Sequence, residues 1–205
     1  MPTVNSSDEL GRRDRKKLET RAALERAALT LVAERGLAQV TVEDIAGAVD
    51  VSSRTFFNYF PSKEDALIGR SPENEAELAG KLAAVPVSEP ALQALRLVLR
   101  SVAELVQQER EQWLLRLRVL EQNPSLLPRL IAGNAEAERC LTAAVAERVG
   151  VDPAADGYPA LVTAVASTAF RVAMIRWSAA DGVPPLAGLL DEAFDRLAAG
   201  LPDPR

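Results

Sequence analysis

Hydrophobic positions recur along this chain with the spacing of α-helices rather than that of β-strands. Between Asp14 and Arg35, the apolar residues Leu24, Ala28 and Leu31 follow one another at intervals of four and three, which places them on one helical face. No window shows sustained alternation of apolar and polar residues, so we predict no strands. The pattern therefore predicts an all-α fold.

Capping residues, glycine and proline divide the chain into the predicted helices. Gly36 is suited to end the first helix, and the residues from Thr41 to Asp44 resemble a capping box with aspartate in place of glutamate. Ser52 is a second N-cap candidate, and prolines open several later segments, where a first helical turn tolerates them. The predicted helices cover residues 14–35, 42–49, 53–60, 72–85, 90–108, 110–122, 124–149, 159–180 and 186–201, with one more opened by residues 62–65.

Composition changes along the chain and indicates two domains. Residues 1–10 are polar and are expected to form a disordered tail, whereas residues 11–17 hold five basic residues and one acidic residue. Beyond residue 70 the sequence is rich in alanine, leucine and arginine, with breaks marked by proline. We therefore expect a small helical domain over residues 11–70 and a larger helical domain over residues 71–205.

The residue inventory excludes several kinds of chemistry. The chain has 205 residues, a formal net charge of −5, no histidine and one cysteine, so histidine bases and histidine metal ligands are excluded. Cys140 cannot form an internal disulfide or a cysteine-rich zinc site, and we expect it to be a small core residue. No glycine-rich phosphate loop or GxSxG nucleophile motif is present. We expect no metal, no cofactor and no enzymatic activity, although chemistry based on carboxylates alone remains open.

Apolar segments are too short for a membrane protein. The uncharged run from Gly157 to Phe170 has fourteen residues, fewer than the ~20 that span a bilayer. Residues 1–10 lack the apolar core of a signal peptide. We therefore expect a cytoplasmic protein that does not bind membranes.

The helices predicted before residue 60 have the arrangement of a helix-turn-helix, because a tight turn joins the second to the third. In the third helix, Phe56 and Phe60 lie one turn apart and are expected to pack inward beside Ile45 and Val49. The turn itself falls at residues 50–51. This packing leaves the other side chains of the third helix free to face a partner.

Those remaining side chains suit DNA. Arginine can pair with guanine and asparagine can read adenine, so Arg54 and Asn58 are candidates for base contacts. Lys63 is suited to a phosphate group. Thr41 and Ser52 stand at helix N-termini, where backbone N–H groups favour phosphate oxygens.

Three stretches together resemble the DNA-binding domain of the TetR family of bacterial transcriptional regulators: TVEDIA at residues 41–46, VSSRTFFNYF at 51–60 and SKED at 62–65. The resemblance covers about residues 15–70. It implies that the third helix enters the major groove, where the aromatic pair and its neighbours contact DNA. The residues predicted to bind DNA are Thr41, Ser52, Ser53, Arg54, Thr55, Phe57, Asn58, Tyr59 and Lys63.

Two positions depart from the family pattern. Asp50 stands where the turn usually holds glycine, and aspartate tolerates the left-handed conformation better than most residues. Phe57 stands where tyrosine is common, so its contact would be apolar, which leaves Tyr59 as the candidate for the polar role. The basic run at residues 11–17 has two interpretations, a solvated tail or an arm that touches DNA.

The second domain is expected to bind an effector and to dimerise, as the resemblance implies. The helix at 159–180 is apolar nearly all round, and a helix without a polar face must be covered on two sides. A four-helix bundle between subunits, formed with the helix at 186–201, would cover it, so we predict a two-fold homodimer. A core helix within one subunit is the alternative.

A ligand pocket is expected among the helices of residues 88–180. Some regulators with a similar Phe-Phe-Asn-Tyr-Phe-Pro-Ser-Lys signature respond to acyl or other hydrophobic molecules, so the resemblance implies an effector of this kind. Ordinary packing is the competing interpretation for every candidate. The candidate ligand-binding residues are Trp113, Arg116, Leu117, Leu120, Phe170, Met174 and Trp177.

The leading hypothesis is a ligand-responsive repressor that binds a palindromic operator as a homodimer. A small-molecule sensor or carrier with the same fold but without promoter control is the alternative. An enzyme comes third, because no motif supports one.

Overall fold

The computed structural model describes the backbone of residues 6–69 and 72–203 and the side chains of residues 15–69 and 75–203. Over these residues the chain is all-helical, as predicted, with ten α-helices, two short 3-10 helices at Leu37–Gln39 and Pro124–Leu126, and no strand. The α-helices are α1 (Ser6–Arg35), α2 (Val42–Gly47), α3 (Ser53–Phe57), α4 (Lys63–Ile68), α5 (Pro72–Ala84), α6 (Ala91–Gln108), α7 (Arg110–Gln122), α8 (Leu127–Val149), α9 (Tyr158–Ala179) and α10 (Leu186–Ala198).

Several helix boundaries differ from the sequence expectation. Helix α1 begins at Ser6, so residues 6–10 are helical where a disordered tail was expected, and residues 1–5 lie outside the described residues. Helix α3 ends at Phe57 because the amides of Asn58 and Tyr59 bond to carbonyls three residues back, which tightens the last turn. The segment predicted as one helix from residue 124 opens with the second 3-10 helix, and α8 follows it.

The chain forms two compact units. The first unit comprises Met1–Gly69 and Leu115–Leu127, and the second comprises Arg70–Leu114 and Pro128–Arg205. The first division along the chain falls between Gly69 and Arg70. The sequence predicts residues 115–127 in the second domain, but in the structure they belong to the first unit. Val119 and Leu126 are buried in its core.

The core of the first unit holds the helix-turn-helix together. Leu24 and Ala28 of α1 are fully buried against the same cluster as Ile45 of α2 and Phe56 of α3. Phe60 is buried there too, and the partly buried Val49 packs on the cluster, as the sequence predicted. Burying apolar side chains from every helix fixes α2 and α3 relative to α1.

In the second unit, α9 and α10 pack against each other and both pack against α6. Trp177 of α9 and Phe194 of α10 are fully buried there. Gln107 of α6 accepts hydrogen bonds from the Trp177 indole Nε1, at 2.9 Å, and from the Leu186 amide, at 3.1 Å. Cys140 of α8 is half-buried, with its sulfur 3.7 Å from the Glu75 carbonyl oxygen.

Helix α9 is long and apolar enough to cross a membrane by length and composition. The uncharged part of this helix ends before Arg171, and the window that meets this test extends beyond it. Core helices of soluble proteins share this composition, and seven residues of α9, including Ala166 and Ala173, are buried within the chain.

Candidate DNA-binding surface

Helix α2 begins with the predicted capping box. The Asp44 amide donates to Thr41 Oγ1 at 3.1 Å, and the Thr41 amide donates to Asp44 Oδ2 at 2.9 Å. The Thr41 hydroxyl also donates to Asp44 Oδ2, at 2.6 Å. These hydrogen bonds, the hydroxyl first, lower the pKa of Asp44, and the Arg35 guanidinium adds to the effect. The hydroxyl proton of Thr41 is therefore directed at Asp44.

The turn between α2 and α3 has the left-handed residue that the sequence predicted. Asp50 has a φ of 54°, a conformation in which aspartate costs less than most residues. The Asp50 amide donates to the Gly47 carbonyl, and the Val51 amide donates to the Ala46 carbonyl. The turn therefore forms with aspartate in place of glycine.

Helix α3 begins at Ser53 with Ser52 as its N-cap, as predicted. Ser52 Oγ accepts the Thr55 amide at 3.1 Å and lies 2.9 Å from Thr55 Oγ1. Ser53 Oγ donates to Glu43 Oε1 at 3.3 Å, which joins α3 to α2. The Ser53 hydroxyl thus helps to hold α3 against α2, and the Thr55 hydroxyl lies against the N-cap of its own helix.

The two aromatic residues of α3 differ in exposure. Phe56 is fully buried and contacts the rings of Phe57 and Phe60, each with ring centres 5.6 Å apart. Phe57 is 55% exposed. Arg54 and Asn58 are exposed as well. We call the exposed residues Ser52, Arg54, Phe57 and Asn58 the α3 face.

Lys63 and Tyr59 are held more firmly than the sequence analysis expected. Lys63 is half-buried, and its Nζ donates to the carbonyl oxygens of Leu37, at 2.8 Å, and Val40, at 2.7 Å. Tyr59 is half-buried against the core, and its carbonyl accepts from Arg21 Nη1 at 3.0 Å. Two of the three ammonium donors of Lys63 are thus used within the first unit.

The basic segment at residues 11–17 lies within α1. The side chains of residues 11–14 lie outside the described ones. Arg15, Lys16 and Lys17 are exposed, and Arg15 approaches Glu19 at 3.9 Å in an exposed ion pair. DNA contact by this segment stays a prediction.

The predicted ligand-binding residues are divided between the two units. Arg116, Leu117 and Leu120 belong to the first unit, where Leu120 packs against the core. Arg116 is almost fully buried and pairs with Glu25 at 2.7 Å. It is therefore engaged by protein groups where the sequence analysis assigned it to an effector.

The other four candidates, Trp113, Phe170, Met174 and Trp177, belong to the second unit. Phe170 and Met174 are half-buried, while Trp177 is fully buried and bonded to Gln107. The seven candidates thus do not form one site within one unit. Among the described residues, no group of three or more carboxylates or thiols has the arrangement of a metal site.

Sequence reasoning missed Arg21 and Glu25, which stand four residues apart on α1. Their side chains pair at 3.3 Å and are mostly buried. The spacing of four is itself a signal for such a pair. The burial of both side chains and the contact of Glu25 with Arg116 depend on long-range packing, which the local pattern does not contain.

Comparison with known proteins is consistent with this geometry. Residues 25–68 match the family described as "Bacterial regulatory proteins, tetR family", and residues 89–202 match the family described as "MftR C-terminal domain". The chain is 37% identical to the HTH-type transcriptional regulator TcmR of Streptomyces glaucescens over 174 residues, which are 82% of this chain and 76% of that protein.

Solved structures share the fold at lower identity. The first, FadR of Thermus thermophilus, is a TetR family transcriptional repressor in complex with lauroyl-CoA; it is 24% identical, with a TM-score of 0.53 over 90% of this chain and 96% of that one. The second is a triclosan complex of SmeT, the repressor of the Stenotrophomonas maltophilia multidrug efflux pump SmeDEF. It is 15% identical, with a TM-score of 0.60 over 91% of this chain and 99% of that one.

Proposed function

This chain belongs to the TetR family of bacterial transcriptional regulators, and on that premise we propose that it is a ligand-responsive repressor that binds a palindromic operator as a homodimer. TetR-family membership makes it a non-enzymatic DNA-binding regulator. The repressor output, the dimeric state and the effector are the parts that we propose. We also propose a cytoplasmic location, where its DNA partner is.

The α3 face is the single observation that carries the DNA-binding proposal. It presents a guanidinium, an aromatic ring and an amide on a helix whose opposite side is anchored by Phe56. Arg54 and Asn58 have the donors and acceptors that read guanine and adenine in the major groove. Phe57 has apolar surface for a thymine methyl group. We propose that Arg54, Phe57 and Asn58 make the base contacts.

Phosphate contacts are proposed for the ends of this surface. The third ammonium donor of Lys63 suits a phosphate oxygen. Thr41 and Ser52 are exposed at the beginnings of α2 and α3. Because the hydroxyl and the amide of Thr41 both donate to Asp44, we propose that the backbone amides after Thr41, at the N-terminus of α2, contact phosphate, and that Ser52 contributes through its hydroxyl.

A homodimer is proposed through α9 and α10. Three large apolar residues of α9, Leu161, Val172 and Ile175, are exposed in the single chain. Their spacing of eleven and three residues places them along one side of the helix. A second copy that covers this side would bury them and would present two DNA-binding heads to two half-sites.

The proposed effector is hydrophobic and acyl-like, and it binds among the helices of the second unit. FadR of Thermus thermophilus is in complex with lauroyl-CoA and SmeT with triclosan, so the fold accommodates apolar ligands in other proteins. Trp113, Phe170 and Met174 are the half-buried large side chains that we propose for this role. Arg116, Leu117 and Leu120 are less suited, since they lie in the first unit.

In vitro selection from a random duplex library tests the DNA-binding proposal. The wild-type chain is expected to enrich a palindromic sequence, with an affinity that falls steeply as salt rises. Arg54→Ala is expected to abolish the enrichment. The matched control Arg139→Ala removes an exposed arginine from α8 and should enrich the same sequence as the wild type.

Enrichment of no sequence by the folded wild-type chain would favour the alternative function, a small-molecule sensor or carrier without promoter control. The effector proposal has a separate test, the release of the selected duplex by lauroyl-CoA or by triclosan. Release by lauroyl-CoA at a lower concentration than triclosan supports the acyl assignment, and the reverse order contradicts it.

A further inference from the structure

A chain of mostly buried contacts joins α7 to the end of α3 inside the first unit. Arg116 Nη2 of α7 lies 2.7 Å from Glu25 Oε2, and Glu25 Oε1 lies 3.3 Å from Arg21 Nε. Arg21 Nη1 then donates to the carbonyl oxygen of Tyr59 at 3.0 Å. The Arg116, Glu25 and Arg21 side chains are only 4%, 12% and 16% exposed. We call these three residues the relay.

The α7 end of the relay is held in a fixed place. Arg116 Nε donates to the carbonyl oxygen of Leu67 at 3.1 Å, next to the end of α4. Gly69 has a φ of +72°, and a Cβ added there would lie 2.5 Å from the guanidinium carbon of Arg116. The guanidinium therefore occupies the space that any side chain at residue 69 would need. Its position is set by α4 as well as by Glu25.

The other end of the relay holds the residues that follow α3. The guanidinium of Arg21 lies over the ring of Phe60, 4.2 Å from its centre, which is cation–π distance. Phe60 contacts Phe56, the buried anchor of α3. Arg21 therefore holds both the Tyr59 carbonyl and the Phe60 ring, immediately beyond the exposed Asn58.

Charge makes the three side chains interdependent. Glu25 is the carboxylate that bridges two mostly buried arginines. Removing the negative charge would leave two cations close together in a poorly solvated place, which is unfavourable. A change at Arg116 alters the charge that Arg21 experiences through Glu25, and so changes how Arg21 holds Tyr59 and Phe60.

We propose that Arg116, Glu25 and Arg21 are positioning residues that couple α7 to the orientation of α3. Through this orientation they determine how well the α3 face discriminates between DNA sequences, although none of the three belongs to that face. The discrimination part rests on the proposed function. The coupling between α7 and the end of α3 does not, because it can be measured on the protein without DNA.

The coupling is tested by fluorine NMR of the full chain labelled with 4-fluorophenylalanine, which gives one resonance for each of its five phenylalanines. Phenylalanine-to-leucine substitutions assign the signals. Arg116→Met and Glu25→Gln are expected to shift the Phe60 resonance and to leave that of Phe194, in the second unit, in place. The control Glu121→Gln, matched to Glu25→Gln, removes an exposed charge from α7 and should shift neither.

Discrimination is tested with the selected duplex, a duplex with one altered half-site base pair, and random duplex. Arg116→Met and Glu25→Gln are expected to lower affinity for the selected duplex by about tenfold, which corresponds to about 1.4 kcal/mol. The affinity of these variants for random duplex should stay as in the wild type, because phosphate contacts dominate it. The double variant should lose no more affinity for the selected duplex than Arg116→Met alone. Arg116→Lys, which keeps the charge, should retain part of the discrimination that Arg116→Met loses.

A purely structural role gives a different result. The proposal would be overturned if both variants had lower thermal stability but kept the wild-type Phe60 resonance and the wild-type ratio of affinities for the selected and the altered duplex. Should Arg116→Met unfold, Glu25→Gln, which keeps the side-chain volume, decides in the same way. If the wild type selects no duplex, the proposed function fails; a shifted Phe60 resonance then supports the coupling, and an unshifted one overturns it.

Discussion

The Nζ atom of Lys63 lies 2.7 Å from the carbonyl oxygen of Val40 and donates a hydrogen bond to it. With the second bond, to the Leu37 carbonyl, this contact fastens the first residue of α4 to the segment that precedes α2. A hydrogen bond from a charged donor is worth about 1.5–3 kcal/mol. Lys63 therefore contributes to the stability of the first unit, in addition to the phosphate contact that we propose for it.

Replacing Lys63 with methionine separates these two contributions. We expect the free energy of unfolding to fall by about 1–3 kcal/mol, because two backbone carbonyls lose a charged partner. We also expect weaker binding to all duplexes and a salt dependence reduced by about one unit of slope. Denaturant unfolding and salt titrations measure the two effects. Lys81→Met, which removes an ion pair with Glu77 in α5, is the control. An unchanged salt slope would contradict the phosphate contact.

Asn58 is expected to affect specificity rather than stability. Its side chain is exposed at the end of α3, so alanine should leave the fold intact. If the amide reads an adenine, Asn58→Ala should reduce discrimination at one position of each half-site by about 1–3 kcal/mol. Repeating the in vitro selection with the variant measures this loss. Equal losses on specific and random duplexes would show that Asn58 does not read a base.

Gln107 stabilises the second unit from within. Its Oε1 accepts both the Trp177 indole N–H and the Leu186 amide. In Gln107→Leu both donors lose their partner next to a fully buried indole, so we expect the free energy of unfolding to fall by about 2–4 kcal/mol. Denaturant unfolding followed by tryptophan fluorescence measures it. Gln108→Leu, at an exposed neighbouring position, should change stability little, and a similar loss there would contradict the explanation.

The sequence predicted contacts between neighbouring residues better than contacts between residues far apart in the chain. The capping box of Thr41 and Asp44 was predictable because both residues lie within one helical turn, and the inward packing of Phe56 follows from helical periodicity. The Arg116–Glu25 pair joins residues 91 positions apart, and the Trp177–Gln107 bond joins residues 70 apart. Such partners depend on how helices pack, which the residue pattern does not contain. From the pattern alone, Arg116 and Trp177 are therefore candidates for effector contacts.

Lys63 shows the same limit within the DNA-binding unit. Its residue type and its place after α3 suited a phosphate contact. Its hydrogen bonds to Leu37 and Val40 depend on the path of the chain between α1 and α2, which the residue pattern does not determine. The exposed residues of the α3 face, in contrast, followed from the choice of the inward face alone.

Asp44 makes stability depend on pH. Its pKa is lowered, chiefly by the Thr41 hydroxyl and then by the Thr41 amide. A carboxyl whose folded pKa lies below its unfolded value stabilises the fold above the unfolded pKa, about 3.9, and loses this contribution as pH falls through the folded pKa. The stability difference between the wild type and Asp44→Asn should therefore be largest near neutral pH and shrink below about pH 4. Thr41→Val should lose most of the same pH dependence, and a difference that grows on acidification would contradict this account.

Ile175 tests the proposed homodimer. It is 58% exposed in the single chain and lies on the same side of α9 as Val172 and Leu161. If a second copy covers this side, Ile175→Glu places an unpaired charge in the interface, and we expect a dimeric wild type to become monomeric. Native mass spectrometry or light scattering measures the mass. The control Val87→Glu changes an apolar residue that is even more exposed, at 76%, but lies outside α9 and α10.

The monomeric variant should also bind the selected palindrome more weakly, because one DNA-binding head reaches only one half-site. Affinity for a single half-site should stay as in the wild type, since α3 is unchanged. A dimeric Ile175→Glu variant with full affinity for the palindrome would place the interface elsewhere on the chain. A monomeric wild type with palindrome affinity no greater than half-site affinity would contradict the dimer itself.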